Sequence, residues 1–273
     1  MKKIIAFAAS NSKSSINKQL VTYTANMLVG TDVTVLDLNN YDVPLFSVDL
    51  EHSMAGQPIN AHKFLDKIRE ADGIVISMAE HNGAYTAVFK NLFDWVSRIE
   101  KNTFFNKPML LMATSTGVRG GQSVLGIAKD RFPRHAANIV ATFSLPSFSD
   151  NFKDGKIVDS TLNDTLKETV KEFINALSIM DIQQENDNSK GSFYIEREGV
   201  RLAQMTYTFE APNSMVIDHT EVDARMKGQG VGYKLVDAAV EYARAHALII
   251  VPTCTFVASV FKRKAEIYAD VTA

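Results

Sequence analysis

Glu80-His81-Asn82-Gly83-Ala84-Tyr85-Thr86-Ala87-Val88-Phe89-Lys90-Asn91-Leu92-Phe93-Asp94-Trp95 begins where an apolar run, residues 73–79, stops being apolar, and ends inside an amphipathic pattern. Val88, Leu92, Val96 and Ile99 recur at helical spacing, which predicts a helix over 84–100. The run before it is short and wholly apolar, as a buried parallel strand is. The polar turn between them, 80–83, then falls at the carboxyl edge of a sheet, where open α/β sheets bind their ligands. Gly83 has access to backbone conformations closed to other residues and lets the main chain lie against a flat ligand. The alternative is an ordinary strand-to-helix turn with Asn82 bonding locally.

The same grammar extends outward. Strands are expected at 4–9, 33–38, 73–79, 108–113 and 138–145. Helices are expected at 15–28, 61–71, 122–132 and 162–180, with a long loop over 39–60. Strands and helices alternating at these lengths specify an α/β fold, a doubly wound five-stranded parallel sheet covered on both faces. Residues 181–190 (Asp-Ile-Gln-Gln-Glu-Asn-Asp-Asn-Ser-Lys) are polar and read as a linker. Beyond them, antiparallel strands are expected at 192–196, 201–209 and 215–222, with hairpin turns at Glu198-Gly199 and Pro212-Asn213. A helix over 231–246 and a strand over 247–251 complete a small α+β unit. The expected organisation is therefore two domains, 1–180 and 191–273.

Composition narrows the function. A net charge of −2 on 273 residues argues against a general nucleic-acid or anionic-membrane binder. No apolar run reaches membrane-spanning length. The basic, apolar start reads as a first strand, because its run is short for a signal peptide and a helix pattern follows. Cys254 is the single cysteine, so an internal disulfide is excluded and a reducing, cytoplasmic setting is expected. No metal site is expected.

Two further turns carry chemistry. Ser10-Asn11-Ser12-Lys13-Ser14-Ser15-Ile16-Asn17 places hydroxyls and amides just before a helix, where unpaired N–H groups and the helix dipole receive anions. It lacks both Gly-x-Gly-x-x-Gly and Gly-x-x-x-x-Gly-Lys-Ser/Thr, so a phosphate monoester fits better than a dinucleotide. A serine-rich helix cap is the alternative. Ser115-Thr116-Gly117-Val118-Arg119-Gly120-Gly121 sets three glycines around one cation, so that main-chain amides can approach a ligand. On one parallel sheet the three turns would meet at one edge.

These residues resemble the NAD(P)H-dependent FMN reductase family, of flavodoxin-like fold, over residues 1–178. Ala9-Ser10-x-Ser12-x-x-Ser15-x-Asn17-x-x-Leu20 is similar to its phosphate loop. Glu80-His81-Asn82-Gly83 through Lys90-Asn91-Leu92-Phe93-Asp94-Trp95 is similar to its Pro-Glu-Tyr-Asn-Gly…Leu-Lys-Asn-x-x-Asp-Trp motif. The resemblance implies FMN, with its phosphate at Ser10, Ser12, Ser15 and Asn17. Its ring would lie against Glu80, His81, Asn82 and Gly83 on one side and Ser115, Gly117, Arg119, Gly120 and Gly121 on the other. NAD(P)H would pass hydride to the flavin, and the flavin on to a quinone, azo, metal or flavin acceptor, in a homodimer or homotetramer. Ser12, Ala79 and His81 depart from the usual arginine, proline and tyrosine. Loss of the arginine removes a charge-assisted contact worth about 1.5–3 kcal/mol, for which Lys13 or Lys18 could stand in. His81 is open to two readings, a ring-edge contact or a surface histidine. Phe89, Phe93 and Trp95 read as helix packing or a subunit contact rather than flavin contacts.

In the second unit, Arg225-x-x-Gly228-x-Gly230-x-Gly232 joins a strand to a helix, a pattern by which backbone amides receive a pyrophosphate. Residues 190–268 resemble small GNAT-like acetyltransferase domains. The resemblance implies acetyl-CoA at Arg225, Gly228, Gly230 and Gly232, and makes Cys254 an acetyl carrier or nucleophile. A helix N-terminus would lower its pKa, with His219 as base and a small amine as acceptor. The alternatives are a small buried hydrophobe for Cys254 and a hydrogen-bonded strand residue for His219. The function expected is an FMN-dependent NAD(P)H oxidoreductase fused to an acetyltransferase domain. The alternative is an acetyltransferase with a flavodoxin-like redox or regulatory module.

Overall fold

Six consecutive residues, Gly73–Met78, are buried without exception, as in a strand covered by helices on both faces. The computed structural model describes residues 1–178, 181–197, 199–211, 213–226 and 230–272. The chain folds as two units, Met1–Leu177 and Ser178–Ala273.

The N-terminal unit runs β1 (Lys2–Ala8), α1 (Ile16–Ala25), β2 (Thr31–Leu36), α2 (Val48–Ser53), α3 (Ile59–Glu70), β3 (Gly73–Met78), β4 (Glu80–His81), β5 (Ala84–Tyr85) and α4 (Ala87–Ile99). It continues through β6 (Pro108–Thr114), α5 (Gln122–Arg131), β7 (Asn138–Leu145), α6 (Phe148–Asn151), β8 (Phe152–Lys153), β9 (Lys156–Ile157) and α7 (Ser160–Ser178). Five strands form one parallel sheet in the order β2-β1-β3-β6-β7. This is the flavodoxin-like order, whose switch point lies between β1 and β3. Alternate residues face opposite layers. Phe7, Ile74, Ile76 and Leu111 pack with α3, α4 and α5, while Ile4, Ala6, Val75 and Leu110 pack with α1 and α7.

Two expectations shift here. The helix expected from residue 84 begins at Ala87, because Thr86 caps it by accepting from the Phe89 N–H, and Ala84–Tyr85 pairs instead with Glu80–His81 as a hairpin. The expected loop over 39–60 contains the short helix α2, capped by Ser47. At six residues it is too short to establish an apolar period.

The second unit comprises β10 (Gln183–Asn186), β11 (Lys190–Arg197), β12 (Val200–Ala211), β13 (Ser214–Val222), α8 (Val231–Ala245), β14 (Ile249–Pro252), α9 (Thr255–Arg263) and α10 (Ala265–Tyr268). The sheet order is β10-β11-β12-β13-β14, antiparallel except for the last pair. Phe193, Ile195, Met205 and Ile217 pack against Leu235, Val236 and Val240 of α8 and Val257 and Val260 of α9. The stretch read as a linker therefore contains an edge strand. All four residues of β10 are exposed, so no apolar alternation announces it. The hairpin turns expected at Glu198-Gly199 and Pro212-Asn213 fall partly outside the described residues. Among the described residues no helix is long and apolar enough to cross a membrane.

Candidate functional site

The turns after β1, β3 and β6 lie at one edge of the sheet, and three side chains bind them together. Thr86 Oγ1 donates to the Ala9 carbonyl at 2.8 Å. Asn17 Oδ1 accepts from Ser77 Oγ at 2.7 Å and from the Thr114 N–H at 3.1 Å, while its Nδ2 donates to the Thr114 carbonyl at 3.1 Å. Glu80 Oε2 accepts from the Val124 N–H at 2.9 Å. The three bends thus share one rim.

The first turn is the anion cradle. Ser15 caps α1, accepting from the Lys18 N–H, and Ser10 Oγ accepts from the Ser12 N–H at 3.2 Å. First-turn N–H groups of α1 have no intrahelical acceptor, and Ser12 and Lys13 are exposed beside them. Two of the expected residues are already engaged within the protein. The Asn17 side chain is buried and makes three hydrogen bonds to Ser77 and Thr114, so it fastens strands to one another. Lys18 is also committed: its Nζ lies 2.5 Å from Asp37 Oδ2, and that contact, with the Asn39 N–H, holds the Asp37 carboxyl down at about 2. Lys13 is left as the cation nearest in sequence to replace the missing arginine.

The other two turns lie side by side, joined by the Glu80 carboxylate and the Val124 N–H. Asn82 (φ 51°) and Gly83 (φ 77°) are both left-handed, as a two-residue hairpin turn requires. A Cβ on Gly83 would come no nearer than 3.9 Å to Ser123 Cβ, so glycine is needed there for its φ and not for space. Gly121 differs: a Cβ would meet Ala113 Cβ at 2.9 Å, so glycine lets the turn sit down on β6. Ser144 Oγ donates to the Gly120 carbonyl at 2.9 Å, and the Ser147 N–H donates to the Gly117 carbonyl at 3.0 Å. Ser115 Oγ is 3.4 Å from the Gly117 carbonyl, and the exposed Arg119 reaches Ser123 Oγ at 3.3 Å. His81 is exposed at the hairpin. Phe89, Phe93 and Trp95 are core residues, and Trp95 Nε1 donates to the Pro44 carbonyl at 2.7 Å. Sequence reasoning missed the anchoring roles of Thr86 and Glu80. A threonine one residue before an amphipathic run was the available signal for the first; no local pattern signals the second.

In the second unit Cys254 is the N-cap residue of α9, and its Sγ lies 3.5 Å from Thr220 Oγ1. Burial pushes the thiol up, but the Thr220 hydroxyl and the N–H groups of Val257 and Phe256 outweigh it, so the thiol lies below its ordinary value. His219 lies on the other face of β13. Neighbouring strand residues face opposite ways, and His219 is exposed with its Nε2 4.0 Å from Glu221 Oε2, on the far side from Thr220. Arg225 is gripped twice by Asp223, Nε–Oδ1 at 2.9 Å and Nη2–Oδ2 at 2.8 Å, which holds Asp223 at about 2. Gly230 (φ 71°) caps α8. Gly228 lies outside the described residues. Gly232 is a packing glycine, since a Cβ there would meet the Phe256 ring at 2.8 Å.

A doubly wound sheet with three interlocked polar turns at its carboxyl edge defines a flavodoxin-like α/β protein. Residues 2–150, over half the chain, match the family described as NADPH-dependent FMN reductase. The chain belongs to that family and is an oxidoreductase. Residues 192–271 match a second family, GCN5-related N-acetyl-transferase, so the C-terminal unit is a GNAT-like domain. The chain is 28% identical over 180 residues to an NADPH:quinone oxidoreductase of Arabidopsis thaliana, covering 62% of this chain and 88% of the relative. FerB, a flavoenzyme NAD(P)H:(acceptor) oxidoreductase from Paracoccus denitrificans, superimposes with a TM-score of 0.53 at 21% identity, over 65% of this chain and 97% of FerB. A GCN5-like protein of Staphylococcus aureus is 40% identical over 35% of this chain and 90% of its own, with a TM-score of 0.29.

Proposed function

We propose that the N-terminal unit binds FMN, its phosphate on Ser10, Ser12, Ser15 and the first N–H groups of α1, its ring between Glu80-His81-Asn82-Gly83 and Ser115 to Gly121. The donor set suits this group. The phosphate turn carries hydroxyls and amides and no carboxylate, and the two walls present backbone at Gly83 and Gly117, where a Cβ would meet no atom nearer than 3.9 Å. Bound FMN supplies the redox chemistry, taking hydride from NAD(P)H and passing it to a quinone, azo, metal or flavin acceptor. The protein's part is to bind, orient and tune. Arg119 and the amide of Gly121 place positive charge beside the slot, which favours a negatively charged reduced ring. No side chain need move a proton. A quinone is the acceptor to try first, given the name of the Arabidopsis relative.

The observation that carries this reading is the interlock of the three turns through Asn17, Thr86 and Glu80. The experiment is direct. Apoprotein titrated with FMN should take it up stoichiometrically, turn yellow, and bleach on addition of NADPH or NADH, recovering with benzoquinone. Absence of uptake sinks the proposal.

For the C-terminal unit the proposal is acetyl-CoA binding at the turn holding Arg225, Gly228 and Gly230, with Cys254 as the acetyl-accepting nucleophile and a small amine as final acceptor. The lowered thiol at the N-terminus of α9 favours this reading. Incubation with radiolabelled acetyl-CoA should leave label on the wild-type chain and none on Cys254→Ala. Assembly as a homodimer or homotetramer in the cytoplasm belongs to the same proposal, and light scattering reads the assembly.

A further inference from the structure

Helix α5 begins at the wall of the slot, and its own sequence does not finish its N-terminus. The capping residue is Gly121, in a left-handed conformation, with no side chain to accept a hydrogen bond, and the first turn of α5 has no acidic residue. The acceptor comes from another part of the chain. Glu80, at the start of the other wall, puts Oε2 2.9 Å from the N–H of Val124, 44 residues on. Val124 is fully buried against the sheet, so this end of the bond is fixed.

Two consequences follow from one bond. The two walls of the slot are held at one separation, because Glu80 lies in the hairpin β4–β5 and Val124 in the turn of helix that follows Gly120 and Gly121. In addition, a full negative charge sits on the positive end of the α5 dipole. Without that charge, the dipole and Arg119 together would favour electron density on a bound ring; the carboxylate opposes them.

We infer that Glu80 is a positioning residue that fixes the width of the ring slot and lowers the reduction potential of the flavin held there. This deepens the FMN reading above and rests on it. A lower potential makes the reduced cofactor a stronger donor to acceptors, at the expense of a smaller driving force for its own reduction by NAD(P)H.

The test separates geometry from charge. Glu80→Gln keeps an oxygen acceptor for the Val124 N–H and removes the charge. FMN affinity should stay within about threefold, while the two-electron midpoint of the bound flavin should rise by about 30 mV, a tenfold change in the equilibrium. Glu80→Ala removes both, so FMN affinity should fall tenfold or more and amide exchange at Val124 should accelerate in the apoprotein. Should Glu80→Ala fail to fold, Glu80→Gln alone carries the test through its potential. Uptake of FMN by both wild type and Glu80→Gln with identical midpoints overturns the inference and leaves the FMN reading standing. A wild type that takes up no FMN overturns both.

Discussion

Asn17 and Ser12 sit five residues apart on one turn and do different work. Asn17 makes three hydrogen bonds to Ser77 and Thr114, all in the buried end of the sheet. Asn17→Ala leaves those partners unsatisfied and should destabilise the N-terminal unit by about 3 kcal/mol, at about 1–3 kcal/mol for each orphaned group less local relaxation. A shift of the urea midpoint reads it. Because no phosphate contact is lost, FMN and riboflavin should lose affinity equally; a loss confined to FMN would return Asn17 to the phosphate. Ser12 is the opposite case, exposed and without a structural duty beyond its turn. Ser12→Arg supplies a charge-assisted contact worth about 1.5–3 kcal/mol, so FMN should bind roughly tenfold tighter or better. Riboflavin binding should not change, and fluorescence titration of both ligands decides it. The motif thus made Asn17 and Ser12 look alike. What separates them is burial across a sheet, which a one-dimensional pattern does not carry.

At the scale of elements, the inner strands of the first sheet were legible because each is a short, largely apolar run, and β3 and β6 are buried at every position, whereas the half-polar edge strand β2 begins two residues before the expected 33–38. Elements without that contrast escaped. β10 is a polar edge strand, and α4 starts three residues late because a hairpin turn consumes Ala84 and Tyr85. The helix α9 was not resolved from the segment around Cys254, yet it decides the chemistry there. Its first-turn N–H groups and Thr220 draw the thiol below its ordinary value against the effect of burial. Native protein should therefore reach half-maximal iodoacetamide reactivity at a lower pH than the urea-unfolded chain. The linked stabilisation is fully present above the unfolded pKa and fades as pH falls through the folded one. Thr220→Val should move the native midpoint up, and His219→Ala should leave it in place. A shift in His219→Ala alone would reinstate the histidine as base.

At the scale of the whole molecule, the described buried hydrophobic residues divide into cores that each lie within one unit. Phe193 to Val271 make one, and the two layers flanking the parallel sheet make the others. The division was readable from the change in pattern after residue 180, where strand–helix alternation gives way to hairpins. Its consequence is energetic. A ligand that binds only a folded unit stabilises that unit by RT ln(1 + [L]/Kd), about 2.7 kcal/mol at a hundredfold excess over Kd. With separate cores, calorimetry should resolve two transitions. FMN should raise one and leave the other, and acetyl-CoA should do the reverse, because the proposed FMN turns all lie in Met1–Leu177 and the proposed acetyl-CoA turn in Ser178–Ala273. Single transitions moved by both ligands would mean that the units unfold together, and that occupancy of one site is felt at the other. Two transitions, each answering to one ligand, would mean that the fusion joins two activities that fold independently.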